Sequence, residues 1–71
     1  MMNDEPYSYQ VLWSAEDQEF VGLCAEYPSL SYLHQNRYTA LEGISNLVKD
    51  IVADMKANGE SIPEPIAEKK L

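Results

Sequence analysis

The 71-residue chain is poor in the residues that most small proteins use to hold themselves together or to do chemistry. It has one cysteine, Cys24, so no disulfide can form within the chain. It has one histidine, His34, and no pair of Cys or His at metal-ligand spacing. Its three glycines are isolated at positions 22, 43 and 59, which excludes a glycine-rich phosphate loop. Positive charge is scarce: Arg37, Lys49, Lys56, Lys69 and Lys70 are scattered, against twelve acids, and the formal charge is −7. Such a surface repels phosphates, so direct nucleic acid binding by this chain alone is disfavoured. No apolar run approaches the roughly 20 residues of a membrane helix. Met1 to Pro6 lacks the apolar core of a signal peptide, so a cytoplasmic protein is expected.

A chain this short buries only about 60% of the surface its unfolded form exposes. With no disulfide or metal to add stability, oligomerisation is the remaining physical device, and a homo-oligomer is expected. The acidic field suits a basic protein partner, because opposite fields speed encounter, and it also serves plain solubility.

The strongest local signal is an amphipathic helix over residues 39–59. Thr39 and Glu42 have the T-x-x-E spacing of a capping box. Leu41, Ile44, Leu47, Val48, Ile51, Val52 and Met55 recur at steps of three and four, so they share one face. Asn58-Gly59 is a stop signal, since glycine takes the left-handed conformation without a Cβ clash, and Pro63 and Pro65 oppose continuation.

Upstream the period changes to two. Tyr7, Tyr9, Val11 and Trp13 point one way and Ser8, Gln10 and Leu12 the other, a strand over residues 7–13. Ser14 to Gln18 reads as a hairpin loop. In the second strand, residues 19–26, Phe20, Gly22 and Cys24 oppose Val21, Leu23 and Ala25. Both faces are apolar, as in a central strand, and Gly22 marks a bulge or a close approach. Pro28 ends the ladder, and Leu30 to Gln35 alternates as a third strand.

The expected fold class is therefore α+β: a three-stranded antiparallel β-meander with one amphipathic helix packed on one face, β-β-β-α. Residues 1–6 form a flexible lead, 7–59 the single domain, and 60–71 an extended proline-containing tail.

No constellation for catalysis stands out, and the chain is expected not to be an enzyme and to need no cofactor or metal. Asp50 and Asp54 are one turn apart beside the apolar stripe and read as a solvated face, where a like-charge pair costs only a few tenths of a kcal/mol. His34 has no sequence partner, and Cys24 in a strand is a small hydrophobe. Trp13 and the five tyrosines suit a core or an interface better than base stacking, given the missing basic groove.

The order of these pieces resembles the HicB family of antitoxins. The resemblance is carried by Phe20-Val21-Gly22-Leu23-Cys24 running into Glu26-Tyr27-Pro28-Ser29-Leu30-Ser31. Thr39-Ala40-Leu41-Glu42-Gly43-Ile44-Ser45-Asn46-Leu47 is similar to the family's T-x-x-E-A-x-x-N-L, and Gly59-Glu60-Ser61-Ile62-Pro63-Glu64-Pro65 to its G-x-x-I-P-x-P. The resemblance spans about residues 7 to 66. It implies a partial ribonuclease-H-like fold that is not itself a nuclease, and a role in binding and neutralising a small basic HicA-type toxin that cleaves messenger RNA. Gly43 stands where the family has Ala, and Asn36-Arg37-Tyr38 replaces a turn that carries Gly. Longer relatives continue into a DNA-binding segment, whereas this chain stops at Leu71, so autoregulatory DNA binding is not expected.

Candidate partner contacts, chosen for exposure and charge, are Glu16, Asp17 and Glu19 in the hairpin and Glu64 in the tail. Two other readings stay open: a solitary homo-oligomeric structural or regulatory protein of the same fold, and an enzyme using the acids with a divalent metal.

Overall fold

The structure is a computed structural model and describes residues 6–66; the lead residues Met1 to Glu5 and the last residues, with Lys69 and Lys70, lie outside them. Three strands, β1 (Tyr9–Ser14), β2 (Glu19–Cys24) and β3 (Ser31–His34), precede a single helix, α1 (Arg37–Ala57). The strands form one antiparallel sheet in the order β1-β2-β3, so β2 is central. This is the α+β meander with one helix that the periodicities predict.

Register explains the two faces. Tyr9 pairs with Cys24, Val11 with Gly22 and Trp13 with Phe20; across the other seam Phe20 pairs with His34 and Gly22 with Tyr32. Directly paired residues point the same way, so these side chains share the helix face. The opposite face carries the row Leu12–Val21–Leu33, flanked by Gln10–Leu23–Ser31 and by Ser14–Glu19.

Helix α1 packs against all three strands. Its buried residues are Ala40, Ile44, Val48 and Val52, a row at steps of four. The apolar stripe predicted from sequence is displaced: Leu41 is 41% exposed and Ala40 is fully buried. The cause is a close approach at Gly22. A Cβ there would lie 2.6 Å from the Ala40 carbonyl oxygen and 2.8 Å from the Ile44 methyl. Of the two roles open to Gly22, the structure shows the close approach: the missing side chain lets the helix backbone reach the central strand. On the β3 side, the ring of Tyr32 lies where a Cβ of Gly43 would stand. Ile44, Val48, Val52, Cys24 and Tyr7 make the core, with Tyr9, Tyr27, Leu30, Leu47 and Ile62 packed around it.

The helix begins earlier than the sequence signal suggested. Asn36, extended at φ −98° and ψ 127°, is the N-cap, and its side-chain oxygen accepts from the N–H of Tyr38 (2.9 Å) and Thr39 (3.0 Å). Thr39 therefore lies inside the first turn and is not the cap. Asn is as good a cap as Thr and sits where the chain leaves β3. The predicted stop holds. Gly59 has φ 74°, its N–H donates to Lys56 O and the N–H of Glu60 to Met55 O, the paired bonds of a Schellman motif.

Candidate functional site

The two ends of the sheet are built differently. At one end, β1 turns into β2 through residues 15–18. Gln18 carries a left-handed φ of 58°, its N–H donates to Ser14 O (2.8 Å), and its side-chain amide donates to Ala15 O (2.7 Å). The Ser14 hydroxyl donates to Asp17 Oδ2 (2.9 Å). Glu16 and Asp17 are exposed at the tip. Glu19, half-buried, pairs with Ser14 and so faces the side of the sheet away from the helix.

Beside the tip, Trp13 and Phe20 meet edge to face, with centroids 5.0 Å apart and planes at 69°. The Arg37 guanidinium lies 5.0 Å over the Phe20 ring, a cation–π contact. Arg37 is the first helical residue, and the first turn carries no acid. A cation there opposes the helix dipole, and the Phe20 face offsets that cost. Trp13 is nonetheless 53% exposed and Tyr38 is 75% exposed. Tyr38 and Leu41, three residues apart, are exposed on the side of the helix away from Gly43 and Tyr32. Exposed Trp13 thus stands beside the Phe20–Arg37 stack. His34 is exposed, and its Nδ1 accepts the N–H of Asn36 (3.0 Å), which shapes the β3–α1 turn.

The other end is closed. Tyr7 and Tyr27 also meet edge to face, centroids 5.7 Å apart and planes at 80°. Here the hydroxyls are engaged: Tyr7 donates to Pro63 O (2.6 Å) and Tyr27 to Met55 Sδ (3.4 Å). Glu26, buried, accepts from the N–H of Ser8 (2.9 Å), the N–H of Ile66 (2.8 Å) and the Cys24 thiol (3.5 Å). One carboxylate therefore joins the start of β1, the end of β2 and the chain after the helix. Burial pushes the Glu26 carboxyl up, but the N–H donors outweigh it and hold the group below the usual carboxylate range. Burial raises the Cys24 thiol, next to that carboxylate.

Of the acids chosen from sequence, Glu16 and Asp17 are brought together, Glu19 faces away from the helix side, and Glu64 lies in the segment at the closed end. Six residues of strand, about 20 Å at roughly 3.3 Å per residue, separate the two ends. The four do not form one surface on a single face. The residues after the helix, predicted as an extended tail, are non-helical and docked on Tyr7 and Glu26.

Sequence reasoning missed Glu26 and the Phe20–Arg37 stack. Glu26 was legible by parity, since it continues the positions 20, 22 and 24 that face the helix. The stack had no signal, because its partners are 17 positions apart and meet only through the β3–α1 turn.

Among the described residues, no group of three or more His, Cys, Asp and Glu is arranged to hold a metal ion, no buried side-chain polar atom is unpaired, and no helix is long and apolar enough to cross a membrane. Comparison of the chain with family models, with curated proteins and with solved structures found no match.

Proposed function

We propose that this chain is a HicB-like antitoxin module, which binds a small basic HicA-type mRNA-cleaving toxin and neutralises it by covering its RNA-contacting surface. The observation that carries the reading is the motif series along residues 7–66 together with a charge of −7. Exposed carboxylates at Glu16, Asp17, Glu42, Asp50, Asp54, Glu60 and Glu64 support an electrostatic match to a basic partner. The β-β-β-α order agrees with the partial ribonuclease-H-like fold of that family. In this reading the chain is cytoplasmic, is not an enzyme, uses no cofactor and does not bind nucleic acid by itself.

A second reading is favoured by a separate observation. The row Leu12–Val21–Leu33 lies on the face away from the helix, with Leu12 46% and Leu33 38% exposed. That apolar row suits a homo-oligomer with no toxin partner.

The experiment is recovery of the tagged chain from its native lysate, followed by light scattering and an RNA-cleavage assay. A stoichiometric basic protein, released by high salt, which cleaves messenger RNA when free and not when bound, is the expected result. A homo-oligomer with nothing bound would replace the first reading with the second.

A further inference from the structure

We propose that the hairpin end of the sheet is the surface on which a basic protein docks: Trp13 takes a partner's Arg or Lys side chain on its exposed ring, while Glu16 and Asp17 pair with neighbouring cations. The proposal rests on the reading of the partner as basic and adds where it binds.

Three observations place the docking surface here. First, Trp13 is a large aromatic left 53% exposed beside the Phe20–Arg37 stack. Trp and Tyr are the residues that anchor protein interfaces, and a half-exposed Trp beside a well-packed core has no folding reason to stay uncovered. Second, the site already shows its chemistry in cis. Arg37 sits over Phe20 although the helix start disfavours a cation there. Trp is a better cation acceptor than Phe, and Trp13, edge to face with that same ring, is 53% exposed. Third, the charge around the aromatics complements a cationic surface. Glu16 and Asp17 are exposed immediately beyond Trp13, and Glu42 follows Leu41 on the helix, while Arg37 is engaged with Phe20. An apolar platform beside exposed carboxylates grips both the stem and the head of an Arg or Lys side chain.

The test uses the full chain and a defined probe, a 12-residue peptide alternating Arg and Ser, with affinity from calorimetry and the contact surface from amide and indole shifts. Trp13 is the only tryptophan, so its indole resonance reports without ambiguity. Expected shifts fall on Trp13, Glu16 and Asp17. Trp13→Ala, at unchanged net charge, weakens the peptide about fivefold to tenfold, and Trp13→Phe recovers part of the loss. The pair Glu16→Ser with Asp17→Ser weakens binding and flattens its salt dependence, whereas Asp50→Asn with Asp54→Asn, an equal change in charge on the helix, has a smaller effect.

Equal losses from the two acidic pairs would mean a diffuse field and overturn the proposal, as would wild-type affinity in Trp13→Ala once circular dichroism shows it folded. A sedimenting dimer that Trp13→Ala converts to monomer would make the occupant a second copy, and a mixed-sequence single-stranded oligonucleotide giving the same shifts would make it nucleic acid; either rejects the proposal. If the basic protein recovered from lysate binds Trp13→Ala and wild type alike, the docking site is wrong while the antitoxin reading stands. If the peptide binds here as expected but no basic partner is recovered, the reverse holds.

Discussion

The two ends of the sheet begin alike and finish differently. Each has an edge-to-face aromatic pair, Tyr7–Tyr27 at one end and Trp13–Phe20 at the other. At the closed end the chain after the helix returns, a carboxylate ties three segments together, and both hydroxyls are engaged. At the hairpin end Arg37 lies over Phe20, but Trp13 stays half exposed. The difference is one of connectivity: a hairpin of four loop residues brings no extra chain to cover its aromatics, whereas the exit from a 21-residue helix does. One end is therefore tied closed, and the other leaves Trp13 half exposed.

The comparison breaks most readily at Glu26. Glu26→Ala should cost about 2–3 kcal/mol in urea unfolding, because it leaves the Ser8 and Ile66 N–H groups unpaired, and amide exchange should rise first at those two residues. The same carboxylate sets a pH dependence. Its pKa is lower in the folded chain, so its contribution is complete above the unfolded carboxylate value of about 4.3 and fades as the pH falls through and below it. Urea midpoints measured from pH 7 to pH 3 should fall more steeply for wild type than for Glu26→Gln.

Next in size is Gly22→Ala, midway between the ends. The new methyl meets a backbone carbonyl and a β-branched side chain, neither of which can swing away, and should cost about 2 kcal/mol. Gly43→Ala is the informative contrast. It meets the ring of Tyr32, itself 38% exposed and able to turn, while the helix gains about 1 kcal/mol of propensity, so its net cost should be the smaller.

At the closed end, Tyr7→Phe should lose about 1 kcal/mol with the bond to Pro63 O. At the hairpin end, Trp13→Ala should lose about 0.5–1 kcal/mol of edge-to-face packing, and its main effect should be on binding. A large loss of stability in Trp13→Ala would erase the contrast between the ends.

The smallest effect is a gain. Gln18→Gly should stabilise the chain by about 0.5 kcal/mol, since glycine takes the left-handed φ without a Cβ penalty, less the lost amide bond to Ala15 O. Thermal unfolding would read it as a small rise in Tm.

Much of this fold was legible. Period two set the faces of all three strands, and Pro28 marked the break between β2 and β3. The site was less legible. Glu16 and Asp17 were identifiable by charge at a turn, but Trp13 could not be told apart from Tyr7, since both lie on the same face of one alternating run. Which of them is buried depends on where the helix exit returns.

The sequence by itself determined the elements, their order, the faces of the strands and the helix stop at Asn58-Gly59, because these follow from local steric preference and from burying apolar residues at a fixed period. Tertiary structure decided the rest. Asn36 rather than Thr39 caps the helix because the chain leaves β3 there. Ala40 rather than Leu41 is buried because Gly22 admits the helix backbone. Glu26 is an internal tie rather than a surface acid because two N–H groups from distant segments converge on it. The burial of Ala40 and the tie at Glu26 depend on pairs 18 to 40 positions apart, and no local pattern encodes which partners meet across such distances.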